Sequence, residues 1–150
     1  MRHIEREAGW TLVELIVVLG IVAMLMALTL PSLLGIRRHS FDMQVKMELT
    51  NSARAAAAIE VELDRYPDDP TWLSAVMPEL DFSGVGSRSI HLLTGDVGSS
   101  RDSQILLYSR SVTGDWFGLR LVRVGPEAGR HTCKGAVTDM TLETCSGVTW

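Results

Sequence analysis

The sequence predicts an α+β chain: one long N-terminal helix followed by a small antiparallel sheet. Three observations predict it. Leu15–Ile36 is a run without a charged residue. From Phe41 to Leu63 apolar residues return at spacings of three and four. Beyond residue 90, short stretches rich in β-branched and aromatic residues are separated by turn signals.

The chain opens with the polar stretch Met1–Gly9, in which Arg2 and Arg6 are offset by Glu5 and Glu7. An apolar run of about twenty residues is long enough to cross a bilayer as a helix. Arg37 and Arg38 follow the run, so the balance of basic residues on its two sides does not orient it. Glu14 is the anomaly, because a carboxylate in lipid costs roughly 2.5–3.5 kcal/mol on insertion scales and calls for a cationic partner. Cleavage after Gly9 would create one. The new α-amine of Trp10 would lie one helical turn before Glu14, on the same face, and could neutralise it within one subunit or between neighbours.

Three ordinary readings compete. A secretory signal would be cut behind small residues after its apolar core, and nothing after Leu30 offers that pattern. A plain single-pass anchor explains the run but neither Glu14 nor Gly9. A buried helix of a soluble domain would leave too little apolar sequence elsewhere to surround it.

The leader Met1–Gly9, the Gly9/Trp10 junction, Thr11-Leu12-Val13-Glu14, the apolar run and Pro31 together resemble the class III signal of type IV pilins and type II secretion pseudopilins. The resemblance covers about the first quarter of the chain. It implies a prepilin leader over residues 1–9, cleavage by a prepilin peptidase between Gly9 and Trp10, and N-methylation of Trp10. It further implies Glu14 as the residue that guides subunit docking, with Pro31 where many members have a proline. The family usually has Phe or Met after the cut; Trp10 keeps a large apolar residue there.

Residues 10–38 are then a hydrophobic helix for the membrane and the filament core, and residues 39–150 a soluble head. In the head part of the helix Phe41, Val45, Leu49, Ser52, Ala56, Ile59 and Leu63 form the inner stripe, while Asp42, Lys46, Glu48, Arg54 and Glu62 occupy other faces. Ala55–Ala58 favour helix, and Tyr66-Pro67 marks the stop. Such a helix, from Trp10 to about Arg65, would span about 80 Å. Pro31 should kink it or loosen the turn before it.

After Pro67-Asp68-Asp69-Pro70 the pattern predicts a short helix over Trp72–Met77 and a glycine-containing loop. Strands are predicted at Ile90–Leu93, Gln104–Arg110 and Trp116–Val124, the last two joined by Thr113-Gly114-Asp115. The alternation slips near Val122–Val124 and suggests a bulge there. Ala136–Leu142 is a candidate final strand. Cys133 and Cys145, the two cysteines of the chain, are close in sequence and suit a local disulfide in an oxidising compartment. Two free thiols or half of a metal site are the alternatives, and no C-x-x-C or paired histidines support a metal. A disulfide would stabilise the head by about 3 kcal/mol on the chain-entropy model. The whole resembles the pilin fold, in which the helix–sheet loop and the disulfide-bounded loop are exposed on the filament.

The 150 residues carry a net charge of -4, which argues against nucleic acid as the principal partner. Arg110, Arg120, Arg123, Arg130, His131 and Lys134 nevertheless make the late head locally basic, a DNA-contacting patch or a strand face balanced by Asp115, Glu127 and Asp139. Asp96 and Asp102 are too few and too spread for an EF-hand calcium loop. His3, His39, His91 and His131 show no metal-ligand spacing, and no catalytic motif or cofactor loop appears, so an enzyme is not expected. The expectation is a type IV pilin, a structural subunit of a homopolymer. It would sit as a single-pass protein in the bacterial inner membrane before assembly and in an extracellular pilus with minor pilins afterwards. The alternatives are a type II secretion pseudopilin, a minor pilin of a competence or adhesion system, and an anchored binding protein that forms no polymer.

Overall fold

The long helix α1 (Leu12–Leu63) is followed by α2 (Pro70–Val76) and by four strands, β1 (Ile90–Val97), β2 (Ser100–Arg110), β3 (Trp116–Val122) and β4 (Gly129–Gly135). The computed structural model describes residues 10–86, 88–145, 147 and 150, with the side chains of residues 28–34 outside that description. The chain divides into two compact units, Met1–Arg38 and His39–Trp150. Among the described residues the strands form one antiparallel sheet in the order β1-β2-β3-β4.

In the second unit the apolar stripe of α1 does what its spacing predicts. Val45, Leu49, Ser52, Ala56 and Ile59 are buried, and the apolar members pack with Ile90, Ile105, Leu107, Phe117 and Leu119 of the sheet. Phe41 is the exception and stays exposed. The opposite face of β2 and β3 is covered separately, by a cluster of Leu106, Cys133, Met140 and Cys145 flanked by Tyr108, Trp116 and Leu142. This explains the continuous apolar stretch Ile105–Tyr108, since a strand covered on both faces needs no polar side.

The helix ends at Leu63, earlier than Tyr66-Pro67 suggests, because Asp64 takes a left-handed conformation (φ 55) that closes the last turn. Arg123 then holds the Asp64 carboxylate and lies 3.6 Å from Glu60. The short helix starts two residues before its expected place: Asp69 accepts a hydrogen bond from the Thr71 N–H (2.8 Å), and Pro70 fits the first turn without a donor.

The sheet departs from expectation at both edges. β1 continues to Val97 through Thr94-Gly95-Asp96, which look like a turn in sequence. Side chains stabilise that irregular end: Ser103 Oγ accepts from the Val97 N–H, and an Asp96 carboxylate oxygen accepts from the Asp102 N–H, each at 2.8 Å. The register shift lies here, between Gly95 and Val97. β3 instead ends at Val122, paired evenly with both neighbours, so the bulge expected near Val124 is not formed. The final strand is β4 rather than Ala136–Leu142; within that stretch Val137–Asp139 forms a single 3-10 turn, in which the Asp139 carboxylate accepts from the Ala136 N–H (2.9 Å). β4 escapes sequence reading because Arg130, His131 and Lys134 dominate it and Cys133 is its one buried residue.

Cys133 and Cys145 form the expected disulfide, with their Cα atoms 5.1 Å apart. Cys133 pairs in register with Gly118, and a Cβ on Gly118 would lie 2.5 Å from Cys133 Sγ and 3.0 Å from Met140 Sδ. Gly118 is therefore required by close approach. Polar clasps add to the attachment of α1. Asp42 Oδ1 accepts from the hydroxyls of Ser111 (2.6 Å) and Thr113 (2.7 Å) in the β2–β3 turn, and Glu48 pairs with Arg88 at 2.8 Å.

Gly118→Ala should lower the stability of the oxidised protein by about 1–3 kcal/mol in a denaturant titration, as overpacking does. The loss should shrink when Cys133 and Cys145 are both replaced by Ala. Burial raises the Asp42 pKa, but the Ser111 and Thr113 hydrogen bonds with Lys134 and Lys46 nearby outweigh it and leave the carboxyl below its ordinary 3.8. A depressed carboxylate stabilises above its unfolded pKa, and that contribution is lost as pH falls through the folded value. The stability difference between wild type and Asp42→Asn should accordingly be full near neutrality and shrink below about pH 3.8.

Candidate assembly site

Thr11-Leu12-Val13-Glu14 has a second meaning that emerges from the structure. Trp10 and Thr11 lie outside the helix, which begins at Leu12. A Glu14 carboxylate oxygen accepts from the Thr11 N–H at 2.9 Å and from the Thr11 hydroxyl at 2.8 Å, while Thr11 Oγ1 faces the Glu14 N–H at 3.3 Å. This is a reciprocal capping box: each side chain satisfies a backbone donor that the first helical turn leaves free. The T-x-x-E spacing before an apolar run carries that signal in the sequence. Glu14 therefore has a partner within its own chain, and its negative charge lies at the positive end of the helix dipole.

Beyond the cap, Leu12, Val13, Leu15, Ile16, Leu19, Ile21, Met24 and Leu25 are all more than half exposed. No cation lies between Trp10 and Ile36 in the sequence. Among the described residues no helix is long and apolar enough to cross a membrane; the side chains of residues 28–34, inside the predicted run, are outside that description. Gly9 also lies outside the described residues. α1 passes through Pro31, whose side chain is likewise not described.

The remaining candidates resolve locally. Arg120 is buried on the disulfide side of β3, bonds Gln104 Oε1 through Nε (3.0 Å) and Nη2 (2.7 Å), and has Nη1 in ionic contact with Glu127 at 3.1 Å. Lys134 meets Asp115 at 2.8 Å, and Arg130 donates to Thr50 on α1 at 3.1 Å. Arg110 donates to the Gly114 carbonyl, and His131 lies 2.8 Å from the Glu127 carbonyl. Within the late basic patch Arg120, Arg123 and Lys134 are paired with carboxylates, Glu127 and Asp115 among them as expected, whereas Arg110, Arg130 and His131 bond neutral groups. Glu60 and Asp64 hold Arg123, whereas Asp139 serves a turn instead of a cation. Asp96 and Asp102 sit together, but the Asp102 carboxylate is paired with Arg65 (3.3 Å) and Arg101 (3.6 Å). Among the described residues no cluster of acidic, His or Cys side chains has metal-binding geometry. His91 stacks on Tyr108 with ring centres 4.8 Å apart, His39 is exposed, and His3 is outside the described residues.

A capped helix, apolar in its first half and amphipathic in its second, a four-stranded antiparallel sheet against the second half, and a disulfide-closed C-terminal segment together make the α+β pilin fold. The chain is similar to the type IV wide pilus major component PilA4 of Thermus thermophilus, 25% identical over 137 residues that cover 91% of this chain and 95% of that protein. That protein is a major component of a type IV wide pilus. No family model matches it, and no solved structure does.

Thr11→Val removes one donor and one acceptor from the cap and should destabilise the first turn of α1 by about 1 kcal/mol. Glu14→Gln keeps an acceptor at the same place and should cost less. Amide hydrogen exchange of Leu12–Leu15 in detergent micelles reads both, with the fastest exchange expected in Thr11→Val.

Proposed function

We propose that this chain is a type IV pilin that is cut after Gly9 by a prepilin peptidase, N-methylated on Trp10, and polymerised into an extracellular filament. Before assembly its apolar helix holds it in the inner membrane as a single-pass protein. The observation that carries the reading is the unmatched surface of the N-terminal unit. Among the described residues the buried cores of the second unit are built from Val45 onward, and the large apolar side chains from Leu12 to Met26 in the first unit are exposed. That segment must find another environment, lipid first and like segments afterwards, because so large an exposed apolar surface is not stable in water.

Glu14 guides docking in this reading, and the capping box refines how. While the subunit is alone, Thr11 satisfies the carboxylate. In the polymer the methylated amine of Trp10 in a neighbour supplies the opposite charge. Docking thus exchanges two hydrogen bonds from neutral donors to the carboxylate for a full charge pair in a medium where charge pairing is strong. Other copies of the chain are the principal partners, with minor pilins and the peptidase as accessory ones. The C-terminal disulfide loop supports a pilin over a secretion pseudopilin.

Mass spectrometry of filaments sheared from cells should find this chain abundant and beginning at methylated Trp10. A processed chain present only in traces would indicate a minor pilin or pseudopilin, and an intact Met1 leader would indicate a plain anchor. Glu14→Gln removes the charge but keeps an acceptor for the cap, so it separates the two roles of the residue. Its filament yield should fall at least about tenfold, the scale of one lost charge pair, while membrane insertion stays intact. Wild-type yield would remove the charge from the docking step.

A further inference from the structure

Between α2 and β1, residues 81–90 make a loop whose ends are pinned together: the Ile90 N–H donates to the Asp81 carbonyl at 2.7 Å. Within it the Ser83 N–H donates to an Asp81 carboxylate oxygen (2.9 Å) and the Val85 N–H to Ser83 Oγ (3.2 Å). A loop closed at its neck and bonded within itself moves as one body. That body is thinly attached to the rest of the head. Val85 is 77% exposed, and a Cβ on Gly86 would meet nothing within 4 Å. Arg88 Nη2 donates to Glu48 Oε1 of α1 at 2.8 Å. Among the described residues this is the one side-chain hydrogen bond or ion pair that ties residues 83–88 to the chain outside the loop. Glu48 is itself held from its own helix, since Gln44 Nε2 donates to the same oxygen at 3.2 Å.

The backbone of the loop is left-handed at three alternate positions, Gly84 (φ 70), Gly86 (φ 103) and Arg88 (φ 75). Glycine takes such angles freely, but a residue with a Cβ takes them against steric resistance. The strained residue is thus the same one that makes the tie. When Arg88 and Glu48 part, Arg88 is free to leave the left-handed region, and relief of the strain favours the detached loop. What lies behind the loop gives this motion a consequence. Ser83 and Gly84 form one side of a cavity of about 220 Å³ whose other lining includes Asp68, Pro70, His91 and Tyr108. A Cβ on Gly84 would lie 3.4 Å from His91 Nδ1, so the loop passes close against the imidazole.

We propose that residues 81–90 are a lid on this cavity, loaded by the backbone of Arg88 and latched by the Arg88–Glu48 ion pair. Opening pivots on the neck between Asp81 and Ile90, removes one side of the cavity and bares His91 beside Asp68 and Tyr108. The lid belongs to the head alone and does not depend on the reading of the chain as a polymerising subunit.

Hydrogen–deuterium exchange of the full chain in detergent micelles, followed in a peptide of residues 82–90, tests the lid. Glu48→Ala removes the latch and keeps the strain. Exchange of that peptide should rise about two- to fivefold, the scale of one exposed ion pair, while peptides from β2 and β3 exchange as in wild type. Arg88→Gly removes latch and strain together, and its peptide should exchange more slowly than that of Glu48→Ala. A loop without strain predicts the opposite order, because glycine then only adds freedom to the open state. Three results would each overturn the proposal: unchanged exchange in Glu48→Ala, an equal rise in β2 and β3, or exchange in Arg88→Gly as fast as in Glu48→Ala or faster. Glu48→Gln keeps an acceptor without the charge and carries the same comparison if Glu48→Ala does not fold.

Discussion

The burial of β2 on both faces is the constraint on which the head depends. Ile105 and Leu107 look toward α1, while Leu106 and Tyr108 look toward the disulfide segment. Neither cover suffices alone, because a four-stranded sheet with one wet apolar face would expose the second row of side chains. The helix stripe and the disulfide segment are thus two solutions to one problem. Gly118 lies where the second becomes tight, and the absence of a side chain there lets the sulfur atoms approach the strand.

The parts of the fold with a strong period were legible in the sequence. Val45, Leu49, Ala56 and Ile59 declared the inner face of α1, and the centres of β2 and β3 stood out as apolar runs. The edges were illegible for a common physical reason. β4 is held by pairing with β3 and by one buried cysteine, not by an apolar face, so its Arg, His and Lys side chains disguise it. The distal half of β1 is held by serine and aspartate side chains that bond backbone groups, and those residue types ordinarily signal turns. Asp64 ended the helix before the proline could, a stop that depends on a backbone angle and on Arg123 from a distant strand.

At the candidate assembly site the legibility was uneven in another way. Glu14 stood out because it interrupts an apolar sequence, and that same contrast drew attention from Thr11 three residues earlier. The cap they form gives that conspicuous carboxylate a structural duty within its own chain. In the head, the basic residues were visible as a group, but most of their partners come from other elements. Glu60 and Asp64 lie about sixty residues before Arg123, and only folding brings them together.

The polar clasps along α1 have a mechanical consequence. Asp42 is fastened to the β2–β3 turn, Glu48 to Arg88, Thr50 to Arg130, and the end of the helix to Arg123. A force applied along the helix axis would meet these fastenings in shear and spread over several of them, together with the interlocked side chains of Val45, Leu49 and Ile59. No single bond would bear the whole load, and the disulfide, which lies on the other side of the sheet, would stand outside the main path of tension.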